Sequence, residues 1–186
     1  IYTFFVVLFI CSMQTALATN VSGTISTNTT WNLAGSPYVV TSSITVNTGV
    51  ILTVESGVTV QFNNGQGMIV NGTLNATGTI FTSSSGTPTP GIWGVIQTGN
   101  ASYSGVVHLT SCQVLYAQYL YVYKGTATLD YTDLSNFSSH GVLISSAGTL
   151  NMSTGNINTP TIVSSTAGIN CEANSHATLT NVNIQH

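Results

Sequence analysis

Arginine is missing from this chain of 186 residues, lysine occurs once as Lys124, and the acids are Glu55, Asp130, Asp133 and Glu172. Charged residues make up 3% of the chain and the formal net charge is −3, so there is no cluster of cations to displace counterions from phosphates. Nucleic acid is thereby excluded as a partner. Beyond residue 18 no window carries apolar residues at three- and four-residue spacing among helix formers, which removes a helical domain from consideration. The opening run, residues 1–10, is apolar but shorter than the ~18–20 residues a membrane span needs. It leads into Ser12-Met-Gln-Thr-Ala16-Leu-Ala18, a small-residue cleavage pattern.

Residues 1–18 therefore read as a secretory signal peptide with an apolar helix, truncated at its start because no Met and no basic segment precede it. An uncleaved anchor helix is the less favoured alternative. Residues 19–35 form a polar lead-in, or N-terminal cap, that carries Trp31. The C-terminus stops inside the strand-like alternation Asn181-Val-Asn-Ile-Gln-His186, which suggests that the fold continues past the residues given. Membrane attachment would then need missing C-terminal parts or an uncleaved N-terminal segment.

What the chain does have is one device used over and over: a short alternating run rich in β-branched residues, then a corner of glycine or asparagine. The runs include Ile44-Thr-Val46, Val50-Ile-Leu-Thr-Val54, Val58-Thr-Val-Gln-Phe62, Met68-Ile-Val70 and Thr73-Leu-Asn-Ala76. Between them stand Gly49, Gly57, Gly65, Gly67, Gly72 and Gly78. Each run is too short to stand alone, period-2 alternation sends one side of it inward, and glycine supplies the backbone angles of tight corners. Stacked coils of this kind bury a continuous aliphatic column. The sequence thus predicts an all-β parallel β-helix over residues 36–186. A sandwich of antiparallel hairpins is the competitor, disfavoured by strands of three to five residues closed so regularly by Gly or Asn.

In the second half the repeat is carried by apolar pairs five residues apart: Leu109/Val114, Leu129/Leu134, Met152/Ile157 and Leu179/Ile184. A second set, Leu120/Val122, Val142/Ile144 and Ile169/Cys171, marks another inward face, with Cys171 replacing an aliphatic. Cys11 falls in the signal. For Cys112 and Cys171, two buried free thiols are expected rather than a disulfide. Residues 83–91 contain Pro88 and Pro90, which lack amide donors, and read as a protruding loop. Trp93 follows, placed under that loop or at a coil corner.

The stretch from Trp31 through Ser36-Pro-Tyr-Val-Val40, Gly49-Val-Ile-Leu-Thr-Val-Glu-Ser-Gly57 and Met68-Ile-Val-Asn-Gly-Thr-Leu-Asn-Ala-Thr-Gly78 resembles secreted right-handed parallel β-helix repeat proteins. Gly91-Ile-Trp-Gly94 stands where that family has a similar Gly-x-Trp-Gly element. The resemblance implies a right-handed, pectin-lyase-like fold and a secreted or cell-surface location. It implies little about activity, because the fold hosts lyases, hydrolases, adhesins and structural stalks alike.

Lyases on this fold are expected to pair acids with an Arg or Lys base. Here Lys124 stands alone beside Gly125, as a solvated corner lysine. Hydrolysis of a glycoside needs two carboxyl groups flanking the bond. Asp130 and Asp133 are the only close pair, and Ser139-His140-Gly141 is faintly similar to the Gly-His-Gly of polygalacturonases, whose other elements are missing. Asp130, Asp133 and His140 are thus the weak catalytic alternative, a fragment of a polysaccharide hydrolase or lyase, beside the favoured reading as polar surface. His108, His140, His176 and His186 share no ligand spacing, so neither metal nor cofactor is expected, and Glu55 reads as a corner residue.

Tyr119-Leu-Tyr-Val-Tyr123 is the most suggestive surface feature. With Leu120 and Val122 inward, alternation turns Tyr119, Tyr121 and Tyr123 outward in a row able to stack on sugar rings, and Tyr131 from the next coil is expected to extend it sideways. Asn20, Asn28, Asn71, Asn75, Asn100, Asn136 and Asn151 each open an Asn-x-Ser/Thr sequon, and in a eukaryotic secretory pathway several would carry glycan, making the chain a glycoprotein. The expectation is a non-catalytic extracellular or cell-surface protein with an adhesive, structural or glycan-contacting role. Its partners would be neutral glycans or matrix components.

Overall fold

A computed structural model of the protein describes residues 17–158 and 168–185. The expected signal helix and the C-terminal residue lie outside the described part. Within it the chain winds as an all-β parallel solenoid of about seven turns. Each turn contributes a strand to three faces. The first face stacks Thr29–Trp31, Ile51–Val54, Thr73–Thr77, Gly105–Thr110, Gly125–Asp130 and the beginnings of Thr149–Asn158 and His176–Gln185. The second runs from the beginnings of Thr19–Ile25 and Tyr38–Val46 through Thr59–Phe62, Ile80–Ser83, Gln113–Leu115 and Asp133–Ser135. The third holds the ends of Thr19–Ile25 and Tyr38–Val46, then Met68–Val70, Trp93–Thr98, Ala117–Tyr123, Val142–Ser145 and Ile169–Cys171.

All pairings among the described residues are parallel, including those across Val50 to Phe62 where a hairpin sandwich would have paired antiparallel. Stacking begins at Thr19, which is paired with Tyr38, so the polar lead-in is itself the first coil. Trp31 and Tyr38 stack there with ring centroids 4.9 Å apart.

The inward columns follow from alternation. On the first face Trp31, Val54, Ala76, Leu109, Leu129, Met152 and Leu179 share one register position. On the second, Val60, Phe81, Val114, Leu134, Ile157 and Ile184 do the same. The apolar pairs five residues apart are therefore two columns joined by a corner. Most of these side chains are fully buried, and each such aliphatic group contributes about 1.5–3 kcal/mol relative to exposure.

Coil length is uneven while register is not. From Leu52 the equivalent residue recurs at Leu74, Val107, Ala127, Leu150 and Ala177, steps of 22, 33, 20, 23 and 27 residues. The longest step holds the proline-containing segment between Ile80–Ser83 and Trp93–Thr98. Extra residues thus collect at corners and leave the faces regular. Trp93, just after that segment, is part of the core: fully buried, stacked on Phe62, with its indole N–H donating to the Leu115 carbonyl at 2.7 Å.

The corners correct the reading of the glycines. Gly49, Gly57, Gly65 and Gly78 do adopt positive φ. Gly67 and Gly72 do not; a Cβ there would run into the Val95 backbone and into the Asn47 and Val50 carbonyls, so close approach demands them. After the first coil, one left-handed residue turns each coil between the first and second faces, and the series runs Gly57, Gly78, Ser111, Tyr131, Thr154, Asn181 with φ of 83°, 56°, 54°, 50°, 48° and 54°. Only the first two are glycine.

Inside that corner lie the buried polar side chains Thr79 and Thr132 with Cys112 between them. The Cys112 thiol lies 3.4 Å and 3.5 Å from the carbonyl oxygens of Thr110 and Ala76, and its amide donates to Thr132 Oγ1 at 3.4 Å. Cys112 therefore occupies a threonine's place in a ladder of small donors. Cys171 takes the inward position beside Ile144, as its spacing implies. It is nonetheless exposed, because nothing described stacks on the last coil, so the expectation of two buried thiols holds for Cys112 alone.

Candidate functional site

Tyr119, Tyr121 and Tyr123 lie on the outer side of the third face, while Leu120 and Val122 between them are fully buried. Each ring is half-buried, because the row packs against itself. Tyr119 and Tyr121 meet edge to face with centroids 5.7 Å apart, and Tyr121 and Tyr123 at 5.4 Å. His140 closes the row, its ring 6.4 Å from that of Tyr119. The Tyr121 hydroxyl is hydrogen-bonded to Ser145 Oγ at 3.0 Å, which fixes the central ring from the next coil. Burial raises the Tyr119 phenol above its ordinary range, with the neighbouring Tyr121 as a second cause.

Beside the row runs an open groove of about 320 Å³, walled by Tyr119 and Tyr121 and crossing successive coils over Ile69, Val95 and Gln97. Gly67 and Gly94 sit in its lining without side chains to fill it. None of the lining residues is charged. Sequence reasoning assigned Gly67 to a corner and Gly94 to a Gly-x-Trp-Gly element, and missed both as floor. For Gly94 the signal was the step from Gly91-Ile-Trp-Gly94 directly into the outward pattern of a strand.

Tyr131 corrects an expectation. It occupies the corner between the first and second faces and so does not extend the row on the third; its ring is 65% exposed beside a different groove.

Of the three weak catalytic candidates, His140 lies apart from Asp130 and Asp133. Asp130 ends a first-face strand and accepts a hydrogen bond from Ser153. Asp133 opens a second-face strand, where Oδ1 accepts from the Asn156 amide at 3.0 Å and from its side chain at 2.7 Å. His140 stands against Tyr119 and lies 3.4 Å from Asn170 Nδ2. The two carboxylates are thus held by polar neighbours on adjoining strands, and the imidazole lies beside the third face.

Lys124 turns a corner at φ 46° and donates from Nζ to the Ala101 carbonyl at 3.0 Å. At the Glu55 corner the backbone makes the turn, with the Glu55 amide donating to the Trp31 carbonyl and its own carbonyl accepting from Val58. No group of three or more His, Cys, Asp or Glu side chains placed to hold a metal ion occurs among the described residues. Nor does any helix there have the length and apolarity to cross a membrane.

The sequons sort by environment. Asn20 and Asn151 are exposed and Asn75 is half-buried on an outer face. Asn28 uses Oδ1 to accept from the Ile51 amide, and Asn100 accepts from the Ser102 and Tyr103 amides in a tight turn. Asn136 is a left-handed corner residue. Asn71 is only 8% exposed, its Oδ1 buried, which removes it as an accessible acceptor.

Comparison of the chain with protein-family models, with curated proteins and with solved structures finds no match. The solenoid and its surface therefore carry the functional reading.

Proposed function

We propose that this chain is a non-catalytic extracellular or cell-surface β-helix that contacts neutral glycans through the face bearing Tyr119, Tyr121 and Tyr123. The observation that carries this reading is the groove walled by Tyr119 and Tyr121 and lined by uncharged residues. A sugar presents a C–H face to an aromatic ring and hydroxyls to amide groups such as Gln97 and Gln118, without help from ion pairing. The other parts of the reading rest on the sequence. Export is supported by residues 1–18, with cleavage after Ala18, and right-handed winding by the general preference of parallel crossovers and by the resemblance to secreted pectin-lyase-like proteins. A stalk or adhesin is a natural use of such a solenoid.

The test is titration of a panel of neutral oligosaccharides against the wild-type chain and Tyr121→Ala at low and high salt. The reading expects weak binding, nearly indifferent to salt, that the substitution reduces about tenfold. Equal affinity in the two proteins would sink it. Export is checked separately by secretion from a heterologous host, with N-terminal sequencing expected to begin at Thr19.

A further inference from the structure

We propose that the corner carrying Tyr131 is a second sugar-binding site, independent of the third face. It takes a neutral pyranoside with its apolar side on the Tyr131 ring and its hydroxyls on Asp133 and Asn183.

The backbone at Tyr131 is unfavourable. Tyr131 occupies the position held by Gly57 and Gly78 in earlier coils, at φ 50°, where a Cβ strains the chain and glycine does not. Its ring returns nothing to the core, being 65% exposed, more than any other aromatic side chain among the described residues. A strained residue that leaves a large ring in water stabilises neither its own corner nor the column beneath. The ring is, however, one wall of a groove of about 320 Å³ whose floor includes Asp133, Asn156 and Asn183.

That floor is ordered. Asp133, Asn156 and Asn183 share one register position on three successive coils. Asn156 donates to Asp133 Oδ1 from both its amide and its side chain, and Asn183 Nδ2 donates to Asn156 Oδ1 at 3.5 Å. Both bonds to Asp133 fall on Oδ1, so a ligand hydroxyl would donate to Oδ2. An aromatic wall facing a fixed carboxylate and amides suits a sugar, with one C–H face to stack and hydroxyls that both donate and accept. Asp133 is the only charged residue in the lining. It favours hydroxyl donors and repels a uronic acid.

The test uses the chain with neutral oligosaccharides of glucose, galactose and mannose, and one of galacturonic acid. Wild type, Tyr131→Gly, Asp133→Asn and Tyr121→Ala are titrated with each, and thermal unfolding is recorded. Expected is binding of a neutral sugar that weakens about tenfold in Tyr131→Gly and in Asp133→Asn. That binding persists in Tyr121→Ala, and the galacturonide does not bind. Tyr131→Gly is also expected to raise the unfolding midpoint, since it relieves strain while removing the ring. The proposal is overturned if no neutral sugar binds, if Tyr131→Gly binds as the wild type does, or if it lowers the midpoint, because the ring would then be structural. Loss of all sugar binding in Tyr121→Ala alone overturns this site and leaves the third-face reading standing.

Discussion

Phe62 and Trp93 lie face to face, ring centroids 4.2 Å apart and planes 6° from parallel, and neither ring is exposed to solvent. The pair joins the end of one coil to the start of the next face, and the indole N–H adds a third coil through Leu115. Trp93→Ala removes both the stack and the bond and is expected to cost about 3–5 kcal/mol. Trp93→Phe keeps most of the stack but leaves the Leu115 carbonyl without its donor, a loss of about 1–3 kcal/mol. Urea denaturation of the two variants separates these contributions. A Trp93→Phe protein as unstable as Trp93→Ala would show that the stack contributes little.

Gly105 and Gly49 are expected to respond in opposite ways to a methyl group. At Gly105 a Cβ overlaps the Val70 carbonyl oxygen, a backbone atom that has no flexible side chain to swing away. Gly49 adopts φ 76° with open space around it. Gly49→Ala should therefore cost only the left-handed strain, about 1–2 kcal/mol. Gly105→Ala should cost about 3 kcal/mol or more, or prevent folding, as other severe core clashes do. Comparing expression and unfolding midpoints of the two variants checks the order, and equal losses would contradict it.

The two described thiols should differ in chemistry and in their linkage to folding. Desolvation raises the Cys112 thiol above its ordinary value, outweighing contacts with Thr79 and Thr110 that pull it down. An unfolded thiol titrates near about 8.5. The stabilisation from burying the protonated form is therefore complete below that pH and is lost as pH rises through it toward the folded value. Cys112→Ala should flatten the fall in stability between about pH 8 and 10 relative to the wild type. Identical slopes would rule out the thiol as a cause. Peptide mapping after alkylation should find Cys171 modified in the folded chain and Cys112 only after denaturation.

Expression in a eukaryotic secretory host should fill the sequons unequally. Asn20 and Asn151 are expected to carry glycan when the host provides it, and Asn71 to stay bare because its side chain is closed off within the coil corner. Site-by-site mass spectrometry reads the occupancy. Full modification at Asn71 would mean that the corner opens, or that the enzyme acts before the coil forms.

The columns were legible in the sequence because period-2 alternation survives every change in coil length. Leu109, Leu129, Met152 and Leu179 announce the stack from spacing alone, and Cys171 reveals its inward position beside Ile144 by the same logic. The outward turn of Tyr119, Tyr121 and Tyr123 followed from their buried neighbours. What spacing could not convey is how strands are set around the coil. Tyr131 comes only eight residues after Tyr123, yet a corner rotates it onto another face. Left-handed turns at Ser111, Tyr131 and Thr154 were likewise hidden, since serine, tyrosine and threonine carry no local signal for positive φ as glycine does. Exposure of Cys171 depends on what stacks above the last coil, which is a property of neighbours rather than of residue type.

The fixed register on unequal coils has a mechanical consequence. A pull on the two ends of the chain loads the coils in series, and each coil is held only by the ladders to its neighbours. Extension should therefore release coils one at a time, and the slack per release counts the residues in that coil. At about 3.4 Å per residue, the step of 22 residues from Leu52 to Leu74 yields about 75 Å and the step of 33 to Val107 about 110 Å. The long coil with its proline-containing corner thus becomes a length marker, and its place in a force trace tells from which end the solenoid comes apart.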